Sequence, residues 1–205
     1  MASLALGFYL LGLVLAFGVR SIVQWRRTGD TGLRLDAGRI GSLRWWAKLS
    51  FLAALVLGLA GPVAALAGLA GLGALNHRAV AVAGLVLAGA GIGATLLAQL
   101  TMGASWRIGV DPQERTALVT ASAFAVVRNP IFTAMIVTSA GLALMVPNVV
   151  SLAATVVLIA SIQVQVRAVE EPYLVRTHGQ AYTDYAARVG RFLPGLTARS
   201  GWPTG

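Results

Sequence analysis

Three stretches of this chain, 49–77, 79–106 and 129–166, contain no Lys, Arg, Asp or Glu, and 2–19 is equally free of charge. A helix crosses the roughly 30 Å hydrocarbon core of a bilayer with about 20 residues, so each stretch is long enough to span or to fold back inside a membrane. Only 11% of the residues are charged, less than half the roughly 25% of an average soluble domain. Backbone groups in lipid must satisfy one another, which leaves helices as the economical solution for runs of this length. The pattern predicts an all-α integral membrane protein. With no Cys in the chain, disulfides, thiolate nucleophiles and Cys-ligated metals are excluded. Two His without a carboxylate cluster argue against a metal site of any other kind, so none is expected.

Reading along the chain, 2–19 has no basic leading region and no small-residue cleavage pattern, and it reads as a retained first span. A basic loop follows from Gln24 to Lys48, with Trp25, Trp45 and Trp46 suited to interfacial anchoring. The second span begins near Leu49 and contains Pro62, and an Asn76-His77-Arg78 turn leads to a third span over about Ala79–Thr101. The run from Pro130 to Val166 would measure about 55 Å as one helix, too long for one crossing. Pro147-Asn148 breaks it near the middle, predicting two short spans folded into a helix-turn-helix hairpin. The expected fold therefore has five transmembrane helices and a C-terminal helical segment outside the membrane.

Charge placement gives the orientation. Of the 16 Lys and Arg, all but Arg78 fall on one side of a five-span arrangement, and so do all seven Asp and Glu. The positive-inside rule makes that side cytoplasmic, with the N-terminus outside and the C-terminus in the cytoplasm. The net charge of +9 is thereby assigned to the lipid headgroup surface, and no nucleic-acid partner is expected. One Lys against fifteen Arg, with abundant Ala and Gly, suggests a GC-rich bacterial genome and hence an inner membrane.

Transporters commonly place ionisable groups inside their spans. Here Gln99 is the most polar span residue, which points to a membrane-surface enzyme or to a structural or partner-binding membrane protein. Gly89-Ala90-Gly91-Ile92-Gly93 has the form of a dinucleotide loop but sits within a span with no preceding strand, so its Gly89-xxx-Gly93 spacing is read as a helix-packing device. His77, in a short turn without partners, is read as an ordinary loop residue.

The second half carries the motifs. Thr116-Ala117-Leu118-Val119-Thr120 leads to Phe124 and then Arg128-Asn129-Pro130-Ile131-Phe132. After the hairpin come Glu170-Glu171-Pro172-Tyr173-Leu174, then His178-Gly179 with Tyr182 and Tyr185, then Arg191-Phe192-Leu193-Pro194. In this order and spacing, 102–194 resembles the isoprenylcysteine carboxyl methyltransferase family and its phospholipid methyltransferase relatives. Departures from the family pattern are Thr116 for a His, Ser122-Ala123-Phe124 for Gly-Pro-Tyr, Asn129 for the His of Arg-His-Pro, and Phe132 for a Tyr.

The resemblance implies an S-adenosylmethionine-dependent methyltransferase acting on a lipophilic small-molecule acceptor at the cytoplasmic membrane edge. It implies cofactor binding by Thr116, Ala117, Leu118, Val119, Phe124, Arg128, Asn129, Pro130, Ile131 and Phe132, closed over by Tyr182 and Tyr185. It implies catalytic roles for Glu170 and, as the cation that holds an acceptor carboxylate, Arg167. Methyl transfer from a sulfonium is an in-line displacement that rests on positioning and water exclusion, so a chain without a nucleophile or metal is suited to it. The expected organisation is 1–101 as three spans with a basic loop, 102–194 as the catalytic region, and 195–205 as a flexible tail. O-methylation of a lipid-like or isoprenoid carboxylate is the first expectation. N-methylation of an amino-lipid, a catalytically silent scaffold and an NADPH-dependent membrane reductase are the alternatives.

Overall fold

The computed structural model describes residues 1–33, 38–106 and 117–195. Among them the regular elements are helical, in the order α1 (Ala2–Thr28), α2 (Leu43–Leu66), α3 (Arg78–Thr101), α4 (Ala123–Val126), α5 (Pro130–Met145), α6 (Val149–His178) and α7 (Gln180–Arg188). Four of these, α1, α2, α3 and α6, are long and apolar enough to cross a membrane, and α5 is a shorter apolar helix of 16 residues.

The expected hairpin is present. Helix α5 ends at Met145, and α6 begins at Val149 behind Asn148, whose side chain caps Ser151 N at 2.9 Å and donates to Gly61 O at 3.0 Å. Other boundaries differ. Helix α1 runs nine residues past Val19 because no breaker intervenes before Gly29, which takes the left-handed conformation at φ 74. Helix α2 starts at Leu43, earlier than Leu49, because Ser42 supplies an N-cap to Trp45 N at 3.2 Å. The basic connection is correspondingly shorter than Gln24–Lys48. The turn before α3 is longer than Asn76–Arg78, since α2 ends at Leu66, one turn beyond Pro62. Helix α6 does not stop at Val166 but continues through a π-turn, Gln165–Glu170, to His178.

Packing is inverted relative to a soluble bundle. The side of α3 facing the bundle carries Ala81, Gly84, Ala88, Gly91, Thr95 and Ala98, while Val82, Val86, Leu97 and Leu100 point outward. Large side chains meet lipid at no cost, and small ones let backbones approach. The closest pair is α3 with α5: a Cβ on Gly84 would lie 2.6 Å from Gly141 O, and one on Gly91 would lie 2.7 Å from Thr138 N. Gly89 and Gly93, the pair singled out in the sequence, do not make this approach; a Cβ on Gly93 would have nothing within 4 Å. Helix α2 pairs with α6 in the same manner, Gly61 against Ser151.

Contacts sort the connections into two ends. Leu72 N donates to Pro147 O at 2.6 Å and Asn148 reaches Gly61, which gathers the 67–77 connection and the hairpin turn. At the opposite end Arg20 stacks over Trp106 at 4.6 Å and donates to Gly103 O at 2.8 Å. That second end also holds α4, α7 and the C-terminal segment.

Candidate active site

The segment from Ala121 to Pro130 is a chain of locally determined turns. Ser122 sits at φ 54, ψ −123, a region that glycine occupies without strain and other residues do not. This is the position at which the resembled family has Gly. Ser122→Gly should therefore stabilise the protein by about 1 kcal/mol, read as a higher thermal midpoint in detergent, because Ser122 is exposed and loses no packing. After the single turn of α4, Val127 is extended and pairs with Gly190. Pro130 then opens α5 at its first turn, where its missing N–H is no loss.

The C-terminal segment clasps this turn. Arg128 N donates to Gly190 O at 2.8 Å, Asn129 N and Nδ2 both donate to Arg191 O, and Thr133 Oγ1 donates to Phe192 O at 3.2 Å. Side chains lock the same contact. Arg191 Nε and Nη2 donate to the two carboxylate oxygens of Glu171, each at 2.8 Å, and Arg128 Nη1 lies 3.3 Å from Glu171 Oε1. The carboxylate is 3% exposed. Its hydrogen bond to Arg191 holds that guanidinium above its ordinary value. Helix α7 docks through Tyr185, whose hydroxyl donates to Phe124 O at 2.6 Å; burial pushes this phenol up to about 12, so it remains a donor. Burial likewise pushes Tyr182 up. Gly179, at φ 53, makes the sharp break between α6 and α7 that lets the two tyrosines turn back onto the site.

These elements line a half-open cavity of 470 Å³, within the range of small-molecule sites. Its lining includes Ala117, Leu118, Val119, Phe124, Arg128, Asn129, Pro130, Ile131, Phe132, Glu170, Tyr182 and Tyr185. Residues from separate sequence motifs thus share one wall. Thr116 lies outside the described residues. Arg167 is not brought in: it is exposed, its Nε donates to Gln163 Oε1 at 2.8 Å, and it does not line the cavity. The reason is helical phase, since the π-turn that brings Glu170 inward leaves Arg167 on the outer face.

The π-turn also explains a residue that the sequence reading missed. Positions five apart do not face one another on a regular α-helix, where neighbours are three or four apart. Here Gln165 Nε2 donates to Glu170 Oε1 at 3.0 Å, and both side chains line the cavity. Lys48, Phe51, Gln99, Trp106, Tyr173 and His178 also line it, several contributed by the first 101 residues. Gln99 was visible as a polar amide near the end of a span, but its direction was not. Its Nε2 donates to Ala16 O at 3.0 Å while Oε1, buried, has no partner. Arg128 Nε is a second buried polar atom without one. An unpaired buried donor and an unpaired buried acceptor on residues that line one cavity are groups that a polar ligand would satisfy.

Among the described residues no cluster of three or more His, Asp or Glu could hold a metal ion. A family model described as phospholipid methyltransferase matches residues 79–181, just over half the chain. No curated protein matches it.

Proposed function

Because the chain belongs to the phospholipid methyltransferase family, we propose that it moves a methyl group from S-adenosylmethionine to the amine of a lipid-like acceptor. The observation that carries this reading is that one cavity at the end of an apolar bundle gathers 117–119, Phe124, 128–132, Gln165, Glu170, Tyr182 and Tyr185. The residues present suit the cofactor. Arg128 Nε, buried and unpartnered, fits a carboxylate, and Gln99 Oε1 fits an ammonium or an amino group. Phe124, Trp106 and Tyr182 offer aromatic surface to a cationic centre. When bound, the cofactor supplies an already activated methyl group. Leu118, Phe124 and Phe132 keep water from the transfer, and the Glu170 carboxylate orients a cationic amine and accepts its proton before attack.

With α5 counted among them, the apolar helices make five spans, the arrangement in which Arg78 is the lone outside Lys or Arg. The site then lies at the cytoplasmic face of a bacterial inner membrane, with the N-terminus outside. In this reading 102–194 is the catalytic region and 1–101 supplies the opposite wall; 196–205, expected as a tail, lies outside the described residues. A carboxylate acceptor is favoured by a different observation, the presence of Lys48 and Arg128 among the residues that line the one cavity. It would then be held by those two cations and not by Arg167.

The test is calorimetry and turnover on purified protein in detergent. Saturable binding of S-adenosylmethionine is expected, weakened about tenfold or more by Arg128→Met. Glu170→Gln should keep that binding and lower transfer to an amine by about 100-fold or more. Arg167→Met should leave both unchanged. If neither the cofactor nor its demethylated product binds, the enzyme reading is lost and the scaffold reading replaces it. If Glu170→Gln transfers normally to a carboxylate lipid, O-methylation replaces N-methylation.

A further inference from the structure

Behind one wall of the cavity lies a cation that does not itself line it. Arg20 is 3% exposed, and its Nη2 donates to Gly103 O at 2.8 Å and to Gln99 O at 3.4 Å. Its guanidinium also lies 4.6 Å from the centre of the Trp106 ring. Gln99 and Trp106 both line the cavity, so Arg20 ties two wall residues together from the rear. The charge meets the carbonyl end of α3, where a cation is favourable, yet Nε and Nη1 are buried without a hydrogen-bond partner. A buried guanidinium with bare donors lowers stability, and such departures from the most stable arrangement gather at functional sites.

The same junction fixes which way the Gln99 amide points. Val14–Val19 is a π-turn of α1, and Arg20 N donates to Leu15 O, five residues back. Ala16 O, its partner on a regular α-helix, accepts from Gln99 Nε2 at 3.0 Å. An amide turned end for end would set Oε1 against that carbonyl, acceptor against acceptor. Nε2 is therefore committed to α1, and Oε1, buried and unpaired, is the atom left to a ligand. Trp106 is held as well, since a Cβ on Gly32 would lie 3.0 Å from its ring.

We propose that Gln99 is the specificity-determining residue of this wall, taking an N–H donor of the bound ligand and turning away a group that only accepts. Arg20 is the positioning residue that holds it. This deepens the methyltransferase reading and rests on it for the ligands named, not for the geometry. The N–H has two sources, an amino group of the cofactor and the amine of the acceptor. In the second case the wall holds a nitrogen that still carries hydrogen and releases one that is fully methylated.

The experiment is calorimetry on the purified full chain in detergent with matched ligands. For the cofactor the set is S-adenosylhomocysteine, its 6-oxopurine analogue and its analogue lacking the α-amino group. For the acceptor it is a primary lipid amine and its trimethylammonium counterpart. Wild type is expected to favour the N–H bearer about tenfold or more in one set, and that set names the source. Gln99→Met and Arg20→Met should each lower the ratio about tenfold, chiefly by weakening the favoured ligand. Arg20→Lys, which keeps a cation and a donor, should restore part of it. Thermal midpoints should change little, because Arg20→Met also removes the bare buried donors.

A ratio unmoved in folded Gln99→Met overturns the proposal, as does the lack of any preference in wild type. Equal weakening of both members of a set by Arg20→Met removes the positioning role. A lipid-amine preference that depends on Gln99, with no binding of S-adenosylhomocysteine, would sustain this wall and remove the methyltransferase reading. Binding of S-adenosylhomocysteine with ratios indifferent to Gln99 would do the reverse.

Discussion

Glu171→Ala is expected to destabilise the protein by about 3 kcal/mol, more than any other change at the site, because it leaves the buried Arg128 guanidinium and the partly buried Arg191 guanidinium facing one another without a counter-charge. Glu171 accepts both donors of Arg191 at 2.8 Å and lies 3.3 Å from Arg128, with only 3% of its side chain exposed. It does not line the cavity, so it acts by holding Arg128 and the C-terminal segment in place. The damage should therefore be local before it is global. Amide exchange at Arg128 and Asn129 should accelerate, since these two N–H groups donate to Gly190 O and Arg191 O across the same clasp. Glu171→Gln retains an acceptor and should lose less. The checks are the thermal midpoint in detergent and hydrogen exchange of the Arg128 and Asn129 amides. Wild-type protection in Glu171→Ala would mean that the ion pairs contribute nothing to docking.

Gly141→Val is expected to separate α3 from α5 and cost about 3 kcal/mol, at the upper end of ordinary overpacking. A Cβ at Gly141 would lie 2.7 Å from Gly84 O and 2.9 Å from Ala88 Cα, and also press on Ala88 N. These are backbone atoms of a helix and have no rotamer by which to yield. Because α5 begins at Pro130, displacing it also moves the Arg128-Asn129 turn. Ligand affinity and thermal midpoint should therefore fall together. The control is Gly93→Val, where a Cβ meets nothing within 4 Å and little change is expected. Equal loss at both positions would refute the packing assignment.

The two glycine positions show why the sequence reading of helix packing went astray. Gly89 and Gly93 form a familiar four-residue pair, yet the face in use is Ala81, Gly84, Ala88, Gly91, Thr95 and Ala98, spaced alternately by three and four. That spacing was present in the sequence as a small-residue stripe. It was obscured because every side of this helix is apolar, so hydrophobic periodicity, the usual indicator of an inward face, is nearly absent.

The sequence by itself determined that the chain is helical and built for a membrane, where the hairpin turns, and which motif segments come together around the larger cavity. Those features follow from local chemistry: charge-free length, a Pro-Asn break, a proline at a helix start, a glycine where φ must be positive. Tertiary structure alone decided which groups meet. The Glu171 carboxylate joins Arg128 to Arg191 across chain segments far apart in sequence, and nothing in either motif specifies that partnership. The π-turn set Glu170 and Gln165 side by side in the cavity and left Arg167 outside, a rotation that residue spacing on a regular helix misassigns. The wall supplied by Lys48, Phe51 and Gln99 depends on how five helices pack, where contacts are set by shape between distant residues and not by order along the chain.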